Sequence, residues 1–185
     1  MMTRELSALI PILAMTGVLA SAASSQTLEV TPSVDLSRYA GKWYEIARLP
    51  NRFQNSCAGE VIADYSLLES NQLKVVNQCR QNNGQTTSAE GEARLAGKSG
   101  PNSKLKVRFA PVWLSWLPVV WGDYWIIDLA EDYSYAAVGD PGRKTLWVLA
   151  RAKTLNDTTY NKILENVKLK GFDVSKLKKM DQSCK

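Results

Sequence analysis

The sequence predicts an all-β fold: an eight-stranded antiparallel up-and-down β-barrel with one C-terminal α-helix packed on the outside. Three observations carry that prediction. Short runs of alternating apolar and polar residues follow one another in meander order, divided by clusters of Gly, Asn, Asp and Ser. A single stretch near the C-terminus repeats its apolar residues at helical spacing. The first strand opens with Gly41-Lys42-Trp43, a residue without a Cβ beside an indole large enough to plug the end of a barrel.

The elements are justified in order. Residues 1–22 read as a secretory signal: Arg4 supplies a positive start, residues 6–19 are mostly apolar but short for a bilayer, and Ala20-Ser21-Ala22 gives a small-x-small cleavage pattern. No cysteine stands near that site, so no lipobox is present for lipid anchoring. The expectation is an exported protein, periplasmic or outer-membrane associated or secreted. Residues 23–32 read as a linker, and 33–185 as one domain.

Residues 34–39 look like a short turn of helix leading into a first strand over 41–50. Strict alternation there puts Trp43, Glu45 and Ala47 on one face and Tyr44, Ile46 and Arg48 on the other. A loop over 51–59 follows. Strands over 60–68 and 73–79 form a hairpin about Ser70-Asn71, with Asn82-Asn83-Gly84 marking the next turn. Two more strands occupy 88–95 and 104–109. Residues 110–121 carry Trp113, Trp116 and Trp121 between Pro111 and Pro118, and two prolines deny this run a central-strand role. Strands over 123–129, 133–138 and 145–151 complete the set. Asn156 or Asp157 caps a helix whose stripe is Tyr160, Ile163, Leu164, Val167 and Leu169, stopped by Gly171; a final short strand spans 176–181.

Composition removes whole classes of chemistry. The chain has 185 residues, a formal net charge of +5 and no histidine. Ser-His-Asp and Cys-His catalysis and His-ligated zinc or haem are therefore excluded. Three cysteines do not make a tetrathiolate site, so no metal or cofactor is expected. The positive charge lies mostly in lysines near the C-terminus, without the interleaved aromatics of a nucleic-acid-binding stripe.

Three separated motifs resemble the lipocalins, within them the bacterial lipocalin and apolipoprotein D branch. They are Gly41-Lys42-Trp43-Tyr44-Glu45-Ile46 continuing into Leu49-Pro50-Asn51-Arg52-Phe53, then Glu131-Asp132-Tyr133, where Glu131 replaces the family's Thr, then Leu146-Trp147-Val148-Leu149-Ala150-Arg151. The tail Gly171-Phe172-Asp173-Val174 is similar too. The resemblance implies that Arg151 lies over Trp43 at the closed end, with Gly41 beside them, as structural residues. Alternation from Trp43 and Arg151 then turns Glu45, Ala47, Trp147 and Leu149 inward. The resemblance adds Tyr65, Leu67, Val107, Phe109 and Tyr124 to the ligand-binding lining. It also favours a Cys57–Cys184 disulfide, with Cys57–Cys79 as the alternative; the hairpin register sets Cys79 near Ile62.

The function implied is binding, and carriage or sequestration, of a small hydrophobic ligand such as a fatty acid or lysophospholipid, in envelope lipid maintenance and without enzymatic activity. Alternate-strand loops gather at one mouth, which would place Trp113, Trp116 and Trp121 there for transient contact with a membrane surface. Two other readings stand beside it: a thiol-dependent lipid isomerase using Cys79, and an interaction protein with an empty barrel.

Overall fold

The computed structural model describes residues 27–69 and 72–183. The predicted signal segment, the Ser70-Asn71 turn and Cys184 lie outside the described residues. Eight strands form a closed antiparallel barrel: β1 (Gly41–Arg48), β2 (Cys57–Leu67), β3 (Leu73–Gln81), β4 (Thr86–Leu95), β5 (Lys104–Arg108), β6 (Gly122–Leu129), β7 (Tyr135–Gly139) and β8 (Leu146–Ala150). Each strand pairs with its successor, and β8 returns to β1. Tyr133, expected in a strand, instead sits at φ 62° in the turn before β7. Residues 110–121 contain two short 3-10 turns, Val112–Leu114 and Pro118–Val120, consistent with their prolines.

One irregularity in β1 changes the predicted faces. Glu45 pairs with Leu149 but Ala47 pairs with Val148, so Ile46 is an extra residue and forms a β-bulge. Ile46 and Ala47 both join the apolar layer beneath the helix, with Val148 and Ala150. Ala47 is therefore not in the lumen. Arg48, which strict alternation placed outside, turns inward and meets Glu45.

A second pair of irregularities lies in β2, between Cys57 and Gly59 and between Gly59 and Ile62. They bring Cys57 opposite Gln81, and the disulfide is Cys57–Cys79, with Cα atoms 5.6 Å apart. The preferred Cys57–Cys184 pairing is thus replaced by its alternative. The register sets Ile62 opposite Gln78 and not Cys79 as expected, and the extra residues in β2 then bring Cys57 within reach of Cys79.

Toward the mouth β1 and β2 part, and residues 178–182 fill the seam. A ninth strand, β9 (Lys178–Lys179), pairs with Ala47 and Arg48. Beyond it the Met180 N–H donates to the Ile46 carbonyl and the Glu60 N–H to the Asp181 carbonyl. The Gln182 side-chain amide donates to the Glu45 and Val61 carbonyls, at 2.7 and 2.9 Å, joining both strands. The expected final strand over 176–181 is shorter than predicted, because Lys176 belongs to a 3-10 turn.

Two helices cover the barrel. Helix α1 (Leu36–Tyr39) is capped by Asp35 and lies across one end; helix α2 (Asp157–Leu169) is capped by Asn156 and packs outside. Tyr160, Ile163 and Val167 of α2 are buried against the wall. Leu169 is 86% exposed, since it falls two residues past Val167 and rotates off the buried stripe. Gly171 stops the helix at φ +88°. The expected linker is in part structural: Leu28 is buried in the layer beneath α2, and the Thr31 N–H donates to the Ile126 carbonyl.

The closed end is held by Arg151. Its guanidinium lies 3.8 Å from the Trp43 ring centroid. It donates to the carbonyls of Arg38, Ala40, Lys42 and, more weakly, Tyr39, at 2.7, 2.9, 2.9 and 3.2 Å. A Cβ at Gly41 would stand 3.3 Å from that guanidinium, at a backbone φ of +92°, so the close approach and the left-handed backbone both select glycine. Trp43 Nε1 donates to the Tyr39 carbonyl, which ties α1 to the plug. Replacing Arg151 with Ala is expected to cost about 2–4 kcal/mol, from lost charge-assisted hydrogen bonds and the cation–π contact. Thermal unfolding followed by circular dichroism checks this, and a midpoint equal to wild type would contradict it.

Candidate ligand-binding site

The lumen is built from the closed end upward. Trp43, Leu73, Val75, Ala93, Leu105, Ile126, Ala136 and Val138 fill the lower half and are fully buried. At the same closed end three tyrosines share hydrogen bonds: the Tyr124 hydroxyl meets those of Tyr39 at 2.8 Å and Tyr65 at 2.7 Å. Burial pushes all three phenols above their ordinary range, so they stay protonated and spend their polarity on one another.

Burial then falls toward the mouth on one side. On β2 to β5 the register turns Ala63, Asn77, Ala89, Gly91, Val107 and Phe109 inward. All are only partly buried or exposed, although they face the inside of a barrel. Small side chains line this half. A Cβ on Gly91 would lie 2.7 Å from the Phe109 ring, so the glycine makes room for that ring.

The β1 and β8 side of the mouth is polar and closed. Glu45 Oε1 accepts from Arg48 at 2.6 Å, and both side chains are buried. Glu45 Oε2 accepts from the Gln54 amide at 2.7 Å. Gln54 Oε1 in turn accepts from Trp147 Nε1 at 2.8 Å and from Asn51. Arg48 also donates to the carbonyls of Gln54 and Cys57 and contacts the Met180 sulfur. Asn51 caps the 3-10 turn that carries Gln54, so a loop residue is fixed over the lumen.

Several predicted positions therefore converge: Glu45, Tyr65, Val107, Tyr124, Trp147 and Leu149 line the barrel, and Phe109 is 41% exposed at the mouth. Leu67 has the inward register but is 42% exposed at the closed end, beyond Tyr65. Ala47 is displaced by the bulge. Arg48, Gln54, Tyr39 and Asn77 were not anticipated. Asn77 alone had a readable signal, since it continues the inward series Leu73, Val75, Asn77, Cys79.

The tryptophans divide. Trp113 and Trp116 are 73% and 75% exposed, near exposed Val112 and Val119 of the same loop. Trp121 is buried instead of being exposed at the mouth. Gly122 pairs with Val107 and points inward, which turns Trp121 onto the outer wall. There it lies 3.9 Å from Arg94 and 5.2 Å from Arg108, and its Nε1 donates to the Ser115 carbonyl.

Burial pushes the Glu45 carboxyl above its ordinary range, against the opposing pull of Arg48 and Gln54. A carboxyl whose pKa is higher folded than unfolded takes up a proton on folding. Its contribution favours the fold at acid pH and is lost as pH climbs through the raised pKa. Glu45→Gln should remove that component, so the difference in unfolding midpoint between variant and wild type should change between acid and neutral pH. A difference independent of pH would contradict it.

Comparison with known proteins accords with this geometry. Residues 34–182 match the model of the lipocalin-like domain. Temperature-induced lipocalin-1 of Arabidopsis thaliana is 38% identical over 157 residues, 84% of this chain and 83% of that protein. Outer membrane lipoprotein Blc of Escherichia coli K12 is 35% identical over 148 residues, 80% and 78% of the two chains. Apolipoprotein D of Mus musculus is 30% identical over 162 residues, 83% and 80%. Among solved structures, insecticyanin of the tobacco hornworm Manduca sexta superposes with a TM-score of 0.63 at 25% identity, covering 85% of each chain. Apocrustacyanin C1 gives 0.65 at 18% identity, covering 81% of each, which speaks to the fold alone. By sequence match, barrel topology and the Trp43–Arg151 closure together, the chain belongs to the lipocalin family.

Proposed function

We propose that this protein binds one small elongated apolar molecule, of the acyl-chain class that includes fatty acids and lysophospholipids, in the open half of its barrel. The observation that carries the reading is the fall in burial along the lumen: packed solid at the Trp43 end, lined by small and half-exposed side chains at the mouth. Apolar walls with few placed polar groups suit a ligand with a long tail and one polar end. Family membership supports small hydrophobic ligands in general. The acyl-chain class, and a role in envelope lipid maintenance after export, are extensions of that support. Similarity to a protein named as an outer membrane lipoprotein favours an exported location.

The role is carriage rather than catalysis. A thiol mechanism at Cys79 needs a thiolate, and Cys79 is bonded to Cys57. Exchange with a membrane is the accompanying function. Val112, Trp113, Trp116 and Val119 are 73–87% exposed, and Phe53, on a loop of the same end, is 72% exposed with Arg52 5.0 Å from its ring. Tryptophan rings beside aliphatic side chains favour the interfacial layer of a bilayer.

A long-chain fluorescent fatty acid should titrate to one site per chain. Ala89→Trp, which places an indole in the open half, should weaken that affinity about ten-fold or more. An unaltered isotherm would place the ligand elsewhere. Replacing Trp113 and Trp116 together with Ser should lower sedimentation with phosphatidylcholine vesicles by at least about ten-fold while sparing the fatty-acid titration. Equal sedimentation would remove the membrane contact.

A further inference from the structure

Every polar side chain on the β1 and β8 side of the lumen is answered by another, but one on the opposite wall is not. Among the described residues Asn77 Oδ1 has no hydrogen-bond partner, although it is shielded from water. Its register neighbours across β2 and β4 are Ala63 and Ala89, too short and too apolar to reach it. Asparagine is a poor strand former, and a buried amide oxygen left unpaired is rare in folded proteins. An inward Asn between two alanines is an acceptor waiting for a donor that the chain does not supply.

The donor's chemistry follows from the lumen's charges. Arg48 is the inward-facing cation of the eight strands, and its guanidinium is already engaged by Glu45, by the carbonyls of Gln54 and Cys57, and by Met180. No described lumen cation is left to neutralise a ligand carboxylate. A fatty-acid carboxylate at neutral pH has no hydrogen to give to Asn77 Oδ1; it can only accept from the Asn77 Nδ2 group and leaves the oxygen unpaired, whereas a hydroxyl can donate to Oδ1. We propose that Asn77 is the polar anchor of the site and that it selects single-chain amphiphiles with a neutral hydroxyl next to the chain, such as monoacylglycerols or fatty alcohols, over ionised fatty acids. This rests on the barrel-binding reading above and specifies which polar end enters the barrel. The hydroxyl donates to Asn77 Oδ1, while the tail lies along Ala63, Gly91, Val107 and Phe109.

The test is competition against a fluorescent lumen probe at pH 8 with oleyl alcohol, monooleoylglycerol and oleate, on wild type and Asn77→Leu. The expected result is that wild type prefers the two hydroxyl compounds to oleate by about ten-fold, the effect of one buried hydrogen bond. In Asn77→Leu that ratio should fall toward one. The wild-type ratio requires no variant, so it holds if Asn77→Leu misfolds. As a second measurement, the Asn77 side-chain amide signals in a nitrogen-labelled sample should shift on adding oleyl alcohol and stay in place with oleate. Oleate binding as tightly as the alcohol in wild type would overturn the proposal and leave the barrel-binding reading intact. A preference that persists in Asn77→Leu would overturn the assignment to Asn77. Failure of the probe and all three compounds to bind would remove the barrel-binding reading and this proposal with it.

Discussion

The extra residue at Ile46 decides what this barrel can be. β1 belongs to two surfaces at once, the lumen and the wall beneath α2, and a strictly alternating strand serves each at every second residue. The bulge breaks that rule at one point. Ile46 and Ala47 are both given to the helix layer, and Arg48 is delivered to the lumen beside Glu45. Without the bulge, Glu45 would be a buried carboxylate with no cation, and Arg48 would project into an apolar layer. A buried charge without a partner is among the costliest features a fold can carry. The bulge turns two liabilities into one pair, and that pair holds Gln54 and its loop at the mouth.

The division of labour along the barrel axis follows from the same economy. The closed end spends its aromatic mass on packing: the Tyr39 ring lies 5.0 Å from that of Trp43 and 5.5 Å, edge-on, from that of Tyr65, and Arg151 covers Trp43. The open end keeps small residues on its inner wall and exposes large apolar ones on its loops. A domain that filled both ends would gain core and lose the half-exposed inner wall at its mouth. One that filled neither would lack the rigid base against which a cavity keeps its shape.

Much of this was legible in the sequence, and the rest failed for identifiable reasons. The eight strands, the external helix and the Trp43–Arg151 closure all rest on local periodicity and on motifs that name their own partners. Errors cluster where one residue is inserted. The bulge at Ile46 misassigned Ala47 and Arg48, and the irregular start of β2 hid the reach from Cys57 to Cys79. Period-2 reasoning has no means of locating an insertion, and each one inverts every later face of the strand. Gln54 was invisible for a different reason: its role comes from where a loop folds back. Trp121 was misread because composition gives no account of which side of the wall a residue next to Gly122 will take.

The seam between β1 and β2 has a consequence in time. Its sealing segment, residues 178–182, leaves the ribosome after all eight strands have been made. The pairings it completes, with Ala47 and Gly59, span more than a hundred residues of sequence, as does the closure of β1 onto β8. Loop-closure entropy of that size makes such contacts late and slow to form. Until residues 178–182 have been made, the part of the wall next to the Glu45–Arg48 pair has nothing to fill it.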